Sequence, residues 1–83
     1  MSHTPHELAD EFPQDHDILH KLKLEDKHFQ NLAEKYHEVN GEIHRIEAEI
    51  EPTSDEYAET LKKKRLALID EIGAIVSKAK ANA

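Results

Sequence analysis

The amino-acid sequence predicts an all-α protein built on an antiparallel, coiled-coil-like helical hairpin. Two long stretches place apolar residues at alternating steps of three and four, the spacing of one face of a helix. A short break around Pro52 separates these stretches, so the two helices are expected to lie side by side. Neither stretch shows the alternation of apolar and polar residues that is typical of a half-buried strand.

Residues 1–13 are predicted to form a first unit, a short capped helix that ends before Pro13. Thr4 is the expected N-cap, Pro5 suits the first helical position, and Glu7 completes a capping box. The helix should end near Glu11. Because so short a helix is marginal in water, we expect it to dock on another element.

Residues 14–83 are predicted to form the hairpin itself, with a long helix over about 14–51, a turn over 52–54 and a second helix over about 54–80. The long helix has an apolar seam that extends back to Ile18 with one interruption at Glu25. The seam positions are Phe29, Leu32, Tyr36, Val39, Ile43, Ile46 and Ile50. Thr53 and Glu56 form the capping box of the second helix. Its seam positions are Ala58, Leu61, Arg65, Leu68, Ile72, Ile75 and Ala79.

Two charged residues on the seams, Glu25 and Arg65, are candidates for fixing the register of the helices. Arg65 should lie level with residues 40–42, and Glu38 or Glu42 is its expected carboxylate partner. Glu25 should lie near Lys78, where we expect it to face water.

The apolar residues exceed what a two-helix hairpin can bury. The second helix is too short to cover the start of the first, so either Leu8 and Phe12 fold back over this region or a partner covers it. Ile69 and Val76 widen the second stripe and favour one more helix contact. The predicted interaction residues are Leu8, Phe12, Ile18, Leu19, Leu22, Ile69 and Val76. Assembly of two hairpins into a four-helix bundle would bury them, so a homo-oligomer or another protein is the expected partner.

Composition excludes several functional classes. The chain has 83 residues, 35% of them charged, and its net charge of −7 disfavours nucleic acid and anionic membranes as partners. The absence of cysteine excludes a disulfide framework and a cysteine-bound zinc site. No apolar run is long enough to span a membrane, and residues 1–17 lack the basic residues of a secretory signal. The expected location is the cytoplasm.

Catalytic and cofactor sites are not predicted, because no serine lies beside a histidine that could activate it and a hairpin offers no pocket for a small-molecule substrate. Two alternatives stay open. His16 and His20, at i and i+4, could hold a metal in a metal-responsive bundle, although no third ligand is apparent. The basic run Lys62–Arg65 could contact nucleic acid, although its side chains spread around the helix.

Several short motifs occur in a characteristic order between residues 6 and 76. They are Glu11-Phe12-Pro13, Leu22-Lys23, Asp26-Lys27-His28-Phe29, Tyr36, Glu42-Ile43-His44-Arg45-Ile46-Glu47, Ile50-Glu51-Pro52-Thr53-Ser54-Asp55-Glu56 and Leu61-Lys62-Lys63-Lys64-Arg65-Leu66-Ala67-Leu68. In these motifs the chain resembles the YdcH-like family, small bacterial proteins of unknown function.

The resemblance implies an α-helical hairpin with coiled-coil character and no assigned catalytic residues. The chain departs from the family pattern at Ile69, where lysine is frequent, and this extra apolar group favours a further helix contact. Asp26 and His28 of the family motif are interpreted structurally, as residues that fix the chain where the second helix ends.

Overall fold

The computed structural model describes residues 6–48 and 53–82, and this part of the chain contains four helices and no strand. They are α1 (Leu8–Glu11), α2 (His16–Glu25), α3 (Lys27–Glu47) and α4 (Asp55–Ala81). The prediction of an all-α fold is confirmed. No helix in these two ranges combines the length and the apolar character that crossing a membrane requires.

The long helices α3 and α4 pack against each other as an antiparallel hairpin, as predicted. Residues late in α3 meet residues early in α4, and His28 near the start of α3 meets Glu71 in the second half of α4. The heptad spacing supplies the packed face, because its side chains point at the other helix. The buried hydrophobic residues of the pair are Phe29, Leu32, Tyr36, Ile43, Leu61, Ile72 and Val76.

The prediction of one long helix over 14–51 is wrong, because the chain breaks into α2 and α3 at Asp26. This residue has an extended backbone (φ −116°, ψ 106°), and its amide still donates to the carbonyl of Leu22 at the end of α2. Its side chain caps α3, with Oδ1 accepting from the amide of Phe29 at 3.0 Å. α3 then ends at Glu47, and the predicted positions Ile50 and Glu51 lie outside the described residues.

The second helix begins at a different cap from the predicted one. Ser54, rather than Thr53, is the N-cap of α4, and its Oγ accepts from the amide of Tyr57 at 3.2 Å. The acidic residues Asp55 and Glu56 lie in the first turn, where they favour the positive end of the helix dipole. α4 ends at Ala81, one residue beyond the predicted bound, and Pro52 lies outside the described residues.

The N-terminal helix α1 ends at Glu11 as expected but is only one turn long. Glu7 is its N-cap and forms a reciprocal capping box with Asp10, whose Oδ2 accepts from the Glu7 amide at 3.3 Å. The predicted cap at Thr4 and the first helical position at Pro5 lie outside the described residues.

Residues 6–25, here called the N-terminal cover, fold back over the end of the hairpin. Leu8 of α1 and Leu19 of α2 are buried in the same cluster as Phe29, Tyr36 and Ile72. The break at Asp26 permits this, because a continuous helix would carry α2 away from the hairpin instead of across it. Three apolar residues of α2, Ile18, Leu19 and Leu22, are therefore packed within the chain, with Leu19 in the same cluster as Ile72 and Val76 of α4.

Candidate functional site: the open face of the hairpin

One polar pair inside the hairpin marks the register of the two long helices. Asn40 of α3 is only 1% exposed, and its Oδ1 accepts from Nη1 of Arg65 at 2.9 Å. Arg65 therefore lies at the predicted level, but its partner is an amide oxygen and not the carboxylate of Glu38 or Glu42. Because a neutral amide stays paired without burying a second charge, it suits the inside of this seam better than a carboxylate does.

Glu25, the second predicted register residue, is the last residue of α2 and is exposed. It lines a shallow surface groove with Ala79 and Asn82, so it lies near the C-terminal end of α4. The expectation that Glu25 faces water therefore agrees with its exposure. The helix break at Asp26, immediately after it, explains why the apolar seam is interrupted at this point.

The seven predicted interaction residues all belong to the hydrophobic core. Leu8, Leu19 and Val76 are buried, which removes them from any surface that a partner could reach. The rest are half-buried and pack against the same cluster: Phe12, Ile18, Leu22 and Ile69. Three of the seven are therefore buried within the chain, and the assignment of the half-buried four to an interaction surface stays a prediction.

The cover is attached to the hairpin through polar contacts at its first residues. The hydroxyl of Tyr36 donates to the carbonyl oxygen of His6 at 2.5 Å, and His6 adopts a left-handed backbone with φ of 64°. Nδ1 of His37 lies 3.0 Å from Oε1 of Glu7. His16 Nε2 lies 3.0 Å from the carbonyl oxygen of Ala9, which can only accept, so the ring donates and ties α1 to α2.

Tyr36 has a clearly displaced pKa. Burial raises the pKa of Tyr36 to about 12, and the carboxylates of Glu11, Glu7 and Asp10 act in the same direction, while Arg65 opposes them. The phenol therefore remains protonated and able to donate to His6 over a wide pH range.

One groove of the hairpin is lined by residues of α3 and α4 alone. The cover contacts α3 at His37 and approaches α4 at Gly73, where Phe12 lies against the backbone. The groove is lined by Lys35, Glu38, Val39, Lys64 and Leu68. One heptad further along, on the same face of each helix, stand Ile46 and Ile75.

We call this surface the open face and define it by its residues on the two long helices. They are Lys35, Glu38, Val39, Glu42 and Ile46 of α3, and Lys64, Leu68, Glu71 and Ile75 of α4. Its four aliphatic side chains are half-buried, and two of them, Val39 and Leu68, line the groove together with charged residues. This arrangement, an apolar stripe with a charged rim, is typical of surfaces that contact other helices.

The predicted metal and nucleic-acid residues are dispersed. His16 is engaged with the backbone of α1, and within residues 6–48 and 53–82 no three histidine or acidic side chains are grouped as metal ligands would be. In the basic run, Lys62, Lys63 and Lys64 are exposed, whereas Arg65 turns inward to Asn40.

The motif residues Asp26 and His28 have structural roles that agree in part with their interpretation. Asp26 caps α3, as described above. His28 is exposed, and its Nε2 lies 3.8 Å from Oε2 of Glu71, so it meets α4 ten residues before that helix ends at Ala81.

Sequence reasoning missed three features that shape the site: the cap at Asp26, the buried amide of Asn40 and the phenol contact of Tyr36. An aspartate three residues before a large apolar residue is an N-cap signal, so the break at Asp26 could have been predicted. Asn40 also stood at a helical step of four from Tyr36. The sequence gives no sign that the backbone carbonyl of His6 accepts the hydrogen bond from Tyr36.

Comparison with known proteins gives one match. A family model described as a protein of unknown function (DUF465) matches residues 29–76, from the first buried residue of α3 to the last buried residue of α4. A search of curated proteins and a search of solved structures each found no match. The matched range contains the whole open face and leaves out the N-terminal cover.

Proposed function

The chain belongs to the DUF465 family of unknown function, and from this premise we propose that it is a non-enzymatic helical hairpin that acts by self-association or by docking on a larger protein. The observation that carries the proposal is the open face. Val39 and Leu68 line one surface groove and remain half-buried after the chain has folded, and Ile46 and Ile75 stand one heptad further along their helices, also half-buried.

Folding has not fully removed these four side chains from water. Each additional 40 Å² or so of apolar surface that a partner covers contributes about 1 kcal/mol before the costs of association. The charged residues at the rim, such as Lys35 and Lys64, keep the isolated chain soluble and restrict which partners fit. Two isolated exposed leucines elsewhere, Leu24 and Leu66, form no such stripe with their neighbours and need no partner.

The nucleic-acid alternative has weaker support. It requires Lys62–Arg65 to act together, but Arg65 is used inside the hairpin and the chain carries a net charge of −7. The metal alternative requires His16, which is already bound to the carbonyl of Ala9. Self-association or docking uses residues that the fold leaves accessible, so we favour it.

The proposal is tested by the size of the native complex in the source cells. We expect the tagged chain to elute from size-exclusion chromatography well above its mass of 9.5 kDa. The double variant Val39→Glu/Leu68→Glu should shift it toward the monomer, because charges in the groove cannot be desolvated. The control Leu66→Glu, which changes an exposed leucine away from the groove, should elute like the wild type.

Elution of the wild-type chain as a monomer at its cellular concentration would contradict the proposal. Far-UV circular dichroism of the purified variants separates loss of the complex from loss of the fold. Fractionation of the same cells tests the cytoplasmic location, which is part of the proposal.

A further inference from the structure

A single residue, Asp26, separates α2 from α3. Its backbone is extended, with φ of −116° and ψ of 106°. Its amide nevertheless donates to the carbonyl of Leu22 at 2.9 Å, and its carbonyl accepts from the amide of Gln30 at 2.9 Å. A continuous helix makes these same two contacts, so the interruption is confined to the dihedral angles of one residue.

Side chains replace part of the helical hydrogen bonding at this break. In a continuous helix, three bonds would run from the three amides that follow Asp26 to the three carbonyls that precede it. The extended backbone prevents these bonds. Two of the six backbone groups have side-chain partners instead: the amide of Phe29 donates to Oδ1 of Asp26 at 3.0 Å, and the carbonyl of Lys23 accepts from Nε2 of Gln30 at 2.6 Å. Straightening would restore all three backbone bonds, so the local hydrogen bonding does not oppose it.

The sequence around the break is compatible with a straight helix. Residues 16–40 contain neither glycine nor proline. Ile18, Leu22 and Phe29 stand at helical steps of four and then seven, in line with the apolar seam of α3. Because the two long helices have the same rise per residue, α4 ends level with the end of α2, and a straightened α2 would project beyond it. A straight chain therefore needs a partner to cover its projecting stripe.

We propose that the break at Asp26 straightens when two copies of the chain meet, and that each copy then docks its cover on the hairpin of the other. The contacts of the cover can form between two chains as they do within one, because both arrangements join the same residues. Leu19 would fill its place beside Phe29 and Ile72, now supplied by the second copy. The exchange does not involve the open face, so it goes beyond the proposed function and is independent of it.

The chain concentration sets the balance between the two arrangements. Exchange preserves the buried contacts of the cover and restores the backbone bonds at two hinges. It loses the two Asp26 caps and the freedom of two separate chains. A higher concentration offsets the loss of freedom, so it favours the swapped dimer. A short connection of this kind is also typical of proteins that exchange segments.

The test is a cross-link that shows which chain supplies the cover. Oδ1 of Asp15 in the cover lies 3.3 Å from Nζ of Lys80 in α4, and Gln14 and Ala81 are the exposed neighbours of this pair. The chain has no cysteine, so Gln14→Cys/Ala81→Cys introduces the only two thiols. A short bismaleimide joins them within one chain when the cover lies on its own hairpin, and between two chains after exchange. A denaturing gel separates the two products by mass.

The cross-linked dimer should form a larger fraction of the product when the chain is refolded from urea at higher concentration. Asp26→Ala removes the cap of α3 and favours helix at the hinge. Because each dimer contains two hinges, this change should raise the association constant about 30-fold or more. Ser54→Ala is the matched control, since it removes the same kind of cap from α4, away from the hinge, and should leave the fraction unchanged.

Lys27→Pro should prevent the exchange. Proline is favourable at the first position of α3, and it holds the preceding residue in the extended region where Asp26 already lies. In a straight helix the same ring would remove a backbone bond and clash with the carbonyl of Lys23, so the dimer should be about 100-fold weaker or more. Lys27→Ala removes the same exposed charge without the ring and should behave like the wild type.

A cross-link that stays within one chain at every concentration, with the wild-type hinge and with Asp26→Ala, would overturn the proposal. Equal dimer fractions in Asp26→Ala and Lys27→Pro would also overturn it, because random collision between chains does not depend on the hinge. Dimers that form through the open face keep each cover on its own hairpin and give the cross-link within one chain. That result would reject the exchange and leave the proposed function intact. Circular dichroism confirms that each variant is folded before it is cross-linked.

Discussion

The hairpin of α3 and α4 and the N-terminal cover are stabilised in different ways. The hairpin packs along a continuous apolar seam in which Phe29 and Ile72 are fully buried. The cover contributes only two fully buried leucines, Leu8 and Leu19, and its other apolar contacts are half-buried. Polar contacts such as the 3.3 Å ion pair between Lys80 and Asp15 add to its attachment. A short segment with few buried apolar groups is expected to open more easily than the element beneath it. The family match follows the same division, since it begins at Phe29.

The largest expected effect comes from truncating the centre of the hairpin. Phe29→Ala should lower the free energy of unfolding by about 3–5 kcal/mol, because it leaves a cavity between α3 and α4 that the long helices cannot close. Leu19→Ala, the matched change in the cover, should cost less, near about 2 kcal/mol, because α2 can shift to fill the space. Urea unfolding followed by circular dichroism measures both.

If Phe29→Ala does not fold, Phe29→Leu should show a smaller loss of the same sign. Equal losses for Phe29→Ala and Leu19→Ala would contradict the difference between the two regions.

Alkaline pH should lower the free energy of unfolding through Tyr36, which joins the hairpin to the cover. The pKa of Tyr36 is raised to about 12 in the folded chain, against about 10 for an unfolded tyrosine. Between these values the unfolded chain loses the phenol proton and the folded chain keeps it. The contribution of Tyr36 to the free energy of unfolding is therefore constant below about pH 10 and is lost between about pH 10 and pH 12. The loss should approach about 2.7 kcal/mol.

Unfolding of the wild type and of Tyr36→Phe at increasing pH isolates this contribution. The variant lacks the titrating group and should lose less stability over the same interval. A parallel decline of the two proteins would show that the phenol is not responsible.

The buried polar pair inside the hairpin should give the next largest effect. Asn40→Leu leaves the guanidinium of Arg65 without its acceptor in a half-buried position, and we expect a loss of about 2 kcal/mol. The double variant Asn40→Leu/Arg65→Met replaces both polar groups with apolar ones and should recover most of that loss.

A double-mutant cycle based on chemical denaturation measures the coupling between the two residues. Additive losses from Asn40→Leu and Arg65→Met would show that the 2.9 Å contact contributes no coupling energy.

The difference between the two regions also explains how far the sequence could be interpreted. The seam of the hairpin repeats over many turns, so spacing alone predicted the antiparallel pair and the level of Arg65 beside residues 40–42. The break at Asp26 was missed because Ile18 and Leu22 continue the helical spacing of apolar residues across it. A break at one N-cap residue does not change that spacing.

The attachment of the cover was not predictable from the sequence. Tyr36 and His16 bind backbone carbonyls, and a backbone acceptor has no residue type to identify it. The predicted interaction residues were for this reason assigned to a surface, whereas Leu8, Leu19 and Val76 are buried where the cover meets the hairpin. The open face was overlooked because Val39 and Leu68 occupy ordinary seam positions, and only the docking of α1 and α2 decides which edge of the hairpin remains uncovered.

The smallest expected effect concerns the attachment of the cover alone. Glu7→Gln keeps a side chain that can cap α1 but removes the charge that faces His37 at 3.0 Å. Because the histidine is exposed, the change should cost less than about 1 kcal/mol and should act locally. We expect amide hydrogen exchange to become about 2- to 4-fold faster in α2, while the buried amides of α3 and α4 exchange as before.

The control is Glu34→Gln, an exposed residue of α3 that lines the same surface groove as Glu7, and it should leave exchange in both regions unchanged. Equal acceleration in α2, α3 and α4 would mean that the cover and the hairpin open as one cooperative unit, because the N-terminal contacts would then stabilise the whole fold.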